Sequence, residues 1–116
     1  MAIDAATLRE LKALDEASGG GLLDELVGLF ATNTPQRIAR ARALLAAKDA
    51  AGLSGEAHAL KGSAGALGAS GLLKLSGTLE ATARAGDLSS AVDQLDAIEA
   101  EFQAALAELN LEKIRS

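Results

Sequence analysis

Apolar residues recur at intervals of three and four along almost the whole chain, in runs separated by short corners that carry glycine. That interval is the mark of helices with one buried face, and it leaves no room for the alternation of a half-buried strand. Residue usage agrees. Ala and Leu dominate, aromatics number two (Phe30 and Phe102), and there is one proline. Ala and Leu head the helix-propensity ranking, so the chain is predicted to be all-α. Its 116 residues suffice for one modest core, and a single domain over 1–116 is expected.

Five helices follow from the spacing and its punctuation. The first covers about Asp4 to Glu16, with Asp4 as N-cap, a stripe of Leu8, Leu11 and Leu14, and Ser18-Gly19-Gly20-Gly21 as its end. The second covers Leu22 to Ala47 and contains Pro35, read as a kink in one long helix rather than as the first turn of a new one. The third covers Ala51 to Leu67, followed by a corner at Gly68-Ala69-Ser70-Gly71. The fourth covers Leu72 to Ala85 and closes on Gly86, with Asp87 expected to cap the fifth. That last helix runs from Leu88 to Leu111 on a stripe of Leu88, Val92, Leu95, Ile98, Phe102, Leu106 and Leu109. Four long amphipathic helices joined by short turns predict an antiparallel up-down four-helix bundle, with the short extra N-terminal helix as a lid.

Several functions are disfavoured. A net charge of −5, from sixteen acidic and eleven basic residues, argues against nucleic-acid binding, which needs a basic stripe. Neither a signal-peptide pattern nor a run of about 18 apolar residues is present, so no membrane association and a cytoplasmic location are expected. Without cysteine there is no disulfide or thiol chemistry. One histidine and no Glu-x-x-His pair leave only carboxylates for a metal, so no metal site and no cofactor are expected. The Gly19-Gly20-Gly21 run is too short, and wrongly placed, to cradle nucleotide phosphates. A core satisfied within one chain predicts a monomer.

The informative stretch surrounds the single histidine, His58. At about 100° per residue, Leu53, Ala57, Leu60, Ala64 and Leu67 fall within roughly 80° of one another and form the core stripe. His58 points roughly 140° from the centre of that stripe, so it faces outward or into a groove. On its arc lie Ser54, Gly55, Lys61, Gly62 and Gly65. Each helix-interior glycine costs about 1 kcal/mol relative to alanine. Two physical reasons suit them: bare backbone leaves the imidazole open to another protein, or it lets a neighbouring helix approach closely. Lys61, one turn on from His58, favours a dianionic phosphoryl group on the ring. An imidazole, with an ordinary pKa of about 6.5, is partly neutral and nucleophilic near neutral pH, one nitrogen attacking while the other donates a hydrogen bond. Counting outwards from the Gly68-Ala69 corner puts Glu80 level with His58, which makes it a candidate orienting group. Gly77 lies level with Lys61, and Arg84, one turn beyond Glu80, is a candidate rim cation. The bland alternative for Glu80 and Arg84 is a solvated helix face.

His58, Lys61-Gly62-Ser63 and Gly68 together resemble the signature of the histidine-containing phosphotransfer (HPt) family of two-component phosphorelays, and the surrounding stretch from Ala57 to Ala69 matches closely. Phe30, the run from Ala43 to Asp49, Leu79-Glu80 and Arg84-Ala85-Gly86-Asp87 extend the resemblance over nearly the whole chain. The resemblance implies a four-helix bundle with the phosphorylated histidine exposed midway along one helix. It implies relay of a phosphoryl group between aspartates of response-regulator receiver domains, with no autonomous kinase activity. His58 would be the phosphorylated residue, at Nε2; Lys61 would neutralise the phosphoryl oxygens; Gly62 would keep access open and Ser63 would support the helix. Mg²⁺ would belong to the partner receiver, and a hybrid histidine kinase is a further candidate partner. A purely adaptor bundle, with His58 never phosphorylated, is the competing expectation.

Overall fold

A computed structural model describes residues 2–115; Met1 and Ser116, the ends of the expected 1–116 domain, lie outside the described residues. The chain forms five helices: α1 (Ala5–Ala17), α2 (Leu22–Ala46), α3 (Ala50–Ala66), α4 (Ser70–Arg84) and α5 (Ala91–Arg115). Among the described residues no helix is long and apolar enough to cross a membrane. Side chains cap two of the helix N-termini, and Asp4 is the one the sequence predicts. The Asp4 side chain accepts from the Thr7 amide and hydroxyl, and the Asp49 side chain accepts from the Gly52 amide. Each meets an amide that has no partner within its own helix. The corners after α3 and α4 turn through Gly68 (φ +70°) and Gly86 (φ +75°), a left-handed backbone that favours glycine.

Helices α2 to α5 form a closed ring in which each packs on its chain neighbours and α5 returns to α2, while the diagonal pairs stay apart. Short corners make successive helices antiparallel, giving a body of 45 × 21 × 19 Å. The buried positions alternate in steps of four and three: Leu53, Ala57, Leu60 and Ala64 on α3; Leu72, Ser76, Leu79 and Ala83 on α4; Ala91, Leu95, Ile98, Phe102, Ala105 and Leu109 on α5. This 3.5-residue repeat is the knobs-into-holes pattern of bundles. Phe30 of α2 meets Phe102 of α5 edge-on, with ring centroids 5.0 Å apart.

The start of α5, the role of Asp87 and the exposure of Leu14 and Val92 differ from the sequence reading. Helix α5 begins at Ala91 rather than Leu88, and Asp87 caps a preceding turn by accepting from the Ser89 amide and hydroxyl. Leu14 and Val92, assigned to buried stripes, are exposed; the repeat counted from Ala91 carries Val92 one position off the seam. As expected, α2 is one helix through Pro35; proline removes one backbone bond there, and packing on α3 and α5 holds the rest. Helix α1 does act as a lid, at the end of the bundle that holds the α3–α4 corner. The Asp4 amide donates to the Gly68 carbonyl at 2.6 Å, and the Thr7 side chain fills the space where a Cβ on Gly68 would sit.

Leu60 is fully buried in the seam, so Leu60→Ala is expected to lower unfolding free energy by about 2–5 kcal/mol. Val92→Ala, on the exposed side, should change it by about 0.5 kcal/mol or less. Urea denaturation midpoints check both. Equal losses would mean that the seam register is wrong.

Candidate functional site

The site is built on α3 and α4, and its geometry follows from the seam between them. With Leu53, Ala57, Leu60 and Ala64 wholly buried, α3 has one rotational setting, and that setting turns His58 outward at mid-helix. The His58 side chain is 69% exposed, whereas that of Glu80, facing it from α4, is only 5% exposed. His58 Nδ1 lies 3.0 Å from Glu80 Oε2. Lys61 Nζ lies 3.1 Å from Oε1 of the same carboxylate, and an Arg84 guanidinium nitrogen lies 3.1 Å from Oε2. One nearly buried anion therefore gathers three cationic or hydrogen-bonding partners.

Charge and burial pull on Glu80 in opposite directions. The hydrogen bond from Lys61 holds its carboxyl below the ordinary value, with further help from His58 and from the charges of Lys61 and Arg84, while burial acts against them. The carboxylate is thus ionised near neutral pH and can only accept. Its bond to His58 requires a proton on Nδ1, so a neutral ring carries its lone pair on Nε2. Nε2 has no protein partner among the described residues. The arrangement is an exposed nitrogen nucleophile held in one tautomer, with a cation one helical turn away.

The glycines divide between the two reasons offered for them. A Cβ on Gly55 or Gly62 would meet nothing within 4 Å, so these positions leave the surface around His58 bare and bring no helix closer. A Cβ on Gly65 would lie 3.2 Å from Leu73 Cδ1, so Gly65 serves the approach of α4 to α3. Gly77, level with Lys61 as the count of residues anticipates, leaves 3.5 Å between a would-be Cβ and Lys61 Cδ, room for the lysine stem. Ser63 faces away from this cluster and lines a groove between α2 and α3.

That groove escapes the sequence reading. Leu29, Phe30 and Ala59 give it apolar walls, and Asn33, Arg37 and Ser63 give it polar ones. Leu29 is half exposed, and a large apolar residue off the stripe of α2 was the signal available. Glu56, two residues before His58, pairs with Arg37 and Arg40 of α2 at 3.2 and 3.4 Å, bracing α3 on that side. Among the described residues no group of three or more His, Cys, Asp or Glu could hold a metal ion.

Fold and site together define a class: a helical bundle that presents one carboxylate-anchored imidazole on its surface. Comparison with known proteins narrows the class. The family model described as Hpt domain matches residues 25–109. The fold is similar to the crystal structure of histidine-containing phosphotransfer protein B (HptB) from Pseudomonas aeruginosa PAO1. The two share 28% identity over 99% of this chain and 96% of that one, with a TM-score of 0.89. No curated protein matches the sequence. The chain belongs to the Hpt family, the histidine-phosphotransfer domains of two-component phosphorelays.

Glu80 has a folded-state pKa below its unfolded one, so the stability it contributes is complete above the ordinary carboxylate range and is lost as pH falls through the depressed value. Wild type is therefore expected to exceed Glu80→Gln in urea midpoint near neutral pH, with the gap closing on acidification. A gap that persists well below the carboxylate range would remove the ionised carboxylate from the account.

Proposed function

We propose that this chain relays phosphoryl groups between aspartates of response-regulator receiver domains through a phosphohistidine at His58. The observation that carries the reading is the 3.0 Å contact between His58 Nδ1 and Glu80 beneath a largely exposed ring. In the forward step Nε2 attacks the phosphorus of an aspartyl phosphate, the P–N bond forms, and the aspartate carboxylate leaves. The reverse step delivers the group to a second receiver. Lys61 neutralises phosphoryl oxygens, leaving Glu80 as it does so. Gly62 keeps the approach open, Gly65 sets the spacing to α4, Ser63 belongs to the docking side, and Arg84 supplies a rim cation. Mg²⁺ and the remaining acid–base groups come from the receiver, so the chain works as a carrier without a cofactor and without kinase activity of its own. A hybrid histidine kinase is a further phosphoryl source. The ring of four helices closes its own core, which supports a monomer, and receivers as partners support a cytoplasmic site of action.

The groove between α2 and α3 suits docking of the receiver. It is apolar within, carries Arg37 at its rim, and borders the helix that bears His58. A receiver presents an acidic pocket around its aspartate, which a rim of arginine and lysine on an otherwise acidic protein complements.

Incubation with a phosphorylated receiver tests the chemistry. Wild type should acquire an acid-labile, base-stable label that is absent from His58→Gln. Lys61→Ala should still be labelled, about ten- to a hundredfold more slowly, the kinetic equivalent of one charge-assisted hydrogen bond. A wild-type protein that takes no label from any receiver of its organism would favour the adaptor reading. For docking, Leu29→Asp should weaken receiver binding by about tenfold or more, measured by calorimetry, while leaving chemical phosphorylation of His58 unchanged. Unaltered affinity would move the docking surface elsewhere.

A further inference from the structure

Attack by Nε2 on an acyl phosphate starts from a ring that already carries a proton on Nδ1. The Nε2 lone pair makes the P–N bond, and the P–O bond breaks with its electron pair leaving on the aspartate carboxylate. The immediate product is an imidazolium, phosphorylated on one nitrogen and protonated on the other. In a free phosphohistidine that second proton passes to water near neutral pH and leaves a neutral ring. In this protein the atom facing Nδ1 is a carboxylate oxygen 3.0 Å away, on a side chain that is almost entirely buried. Losing the proton would set a nitrogen lone pair against a carboxylate oxygen. Two acceptors would then face each other at hydrogen-bond distance, with Nδ1 aimed at an oxygen that accepts from Arg84 and has no proton to give.

We propose that Glu80 retains the proton on Nδ1 after His58 is phosphorylated, so that the phosphoryl group is carried on a cationic ring and departs from a neutral imidazole. The inference rests on His58 being the phosphoryl acceptor. The other charged groups on α3 and on the helices packed against it at this level are accounted for. Glu56 of α3 is closed off by Arg37 and Arg40 of α2. Lys61 of α3 and Arg84 of α4 are both held on Glu80. Glu80 is the carboxylate that reaches the ring. When the phosphoryl group arrives and draws Lys61 towards it, Glu80 keeps Nδ1 and Arg84 as partners on Oε2. No proton has to enter or leave the ring in either direction of transfer, so neither step waits on solvent. Breaking the P–N bond returns its electron pair to Nε2 of a ring that needs no further charge stabilisation. Phospho-His58 is then a ready donor even in mildly alkaline solution, where an unassisted phosphoimidazole is a poor one. Glu80 acts here as a positioning residue, through the ring rather than on the phosphorus.

The test uses the full chain labelled with ¹⁵N in the histidine ring and phosphorylated with phosphoramidate, a small-molecule donor that needs no partner. In mildly alkaline buffer, ¹⁵N NMR of the wild-type phosphoprotein should show Nε2 bonded to phosphorus and Nδ1 still bonded to hydrogen. In Glu80→Gln the side-chain amide can donate to a bare Nδ1, so the ring should be unprotonated there. Hydrolysis of its P–N bond should be slower than in wild type by about tenfold or more, the equivalent of a charge-assisted hydrogen bond. An unprotonated Nδ1 in the wild-type phosphoprotein overturns the proposal, and that spectrum decides by itself if the variant does not fold. A proton retained in both proteins removes Glu80 as the cause and overturns it equally. Failure of His58 to take phosphorus would sink the relay reading and this proposal together, whereas a phosphorylated but unprotonated ring would sink this proposal alone.

Discussion

The rotational setting of α3 against α4 governs everything that makes this surface chemically distinctive. Leu53, Ala57, Leu60 and Ala64 have no exposed area, and they meet the matching four-three repeat of α4. Turning α3 by a single residue, about 100°, would bring His58 towards the core and expose a leucine instead. Two of the four seam residues are alanine, and Gly65 and Gly77 lack side chains on the adjoining surface, so the helices approach closely. Close approach is what lets a short carboxylate on α4 reach a ring on α3. Bulkier seam residues would separate the pair and leave His58 as an ordinary exposed imidazole.

Glu80 then gives that approach a chemical meaning. A buried carboxylate standing alone would be driven towards its neutral form. Lys61, His58 and Arg84 reverse that tendency and hold it ionised, so it can accept but never donate. The consequence for the ring is a fixed tautomer, with the proton inside and the lone pair outside. The partners differ in how tightly the fold holds them. Arg84 is largely exposed, and Lys61 is partly exposed with Gly77 leaving room beside its stem, whereas Glu80 is enclosed. The anchor is enclosed and the cations around it are more exposed, which suits the proposed alternation between a neutral ring and one bearing a doubly charged group.

The rest of the bundle supports this hairpin and stays clear of it. The long helices α2 and α5 form the other half of the ring, joined through Phe30 and Phe102. Helix α1 closes the end that holds the α3–α4 corner, tied through Asp4 and Thr7 to Gly68 and through Lys12 to Glu112. His58 lies half a helix away from that lid, and Gly55 and Gly62 leave its surroundings bare. The α2–α3 groove alongside provides apolar area without shielding the ring, so recognition and chemistry occupy adjoining but separate surfaces.

Much of this was legible in the residues alone. The five helices, their order, the Asp4 cap, the Gly86 corner and the stripe of α3 follow from local rules: a 3.6-residue period, the preference of Asp for N-caps, and the tolerance of Gly for left-handed corners. The outward direction of His58 and the level of Glu80 follow from counting along two antiparallel helices. Counting could not say whether Glu80 faced solvent or the ring, because a residue beside the seam is equally compatible with both. Burial by the neighbouring helix decided it, and brought Lys61 and Arg84 onto the same carboxylate. Stripe membership near helix ends failed for a related reason: Leu14 and Val92 fit a three-or-four spacing locally, but the buried seam beside Val92 runs through Ala91 and Leu95 instead. The reasons for the glycines also needed neighbours, since Gly62 and Gly65 are alike in sequence and differ only in what stands opposite. Period and propensity act within one helix and are written in the chain, whereas the pairing of side chains across helices depends on how closely two seams pack, and only the tertiary structure carries that distance.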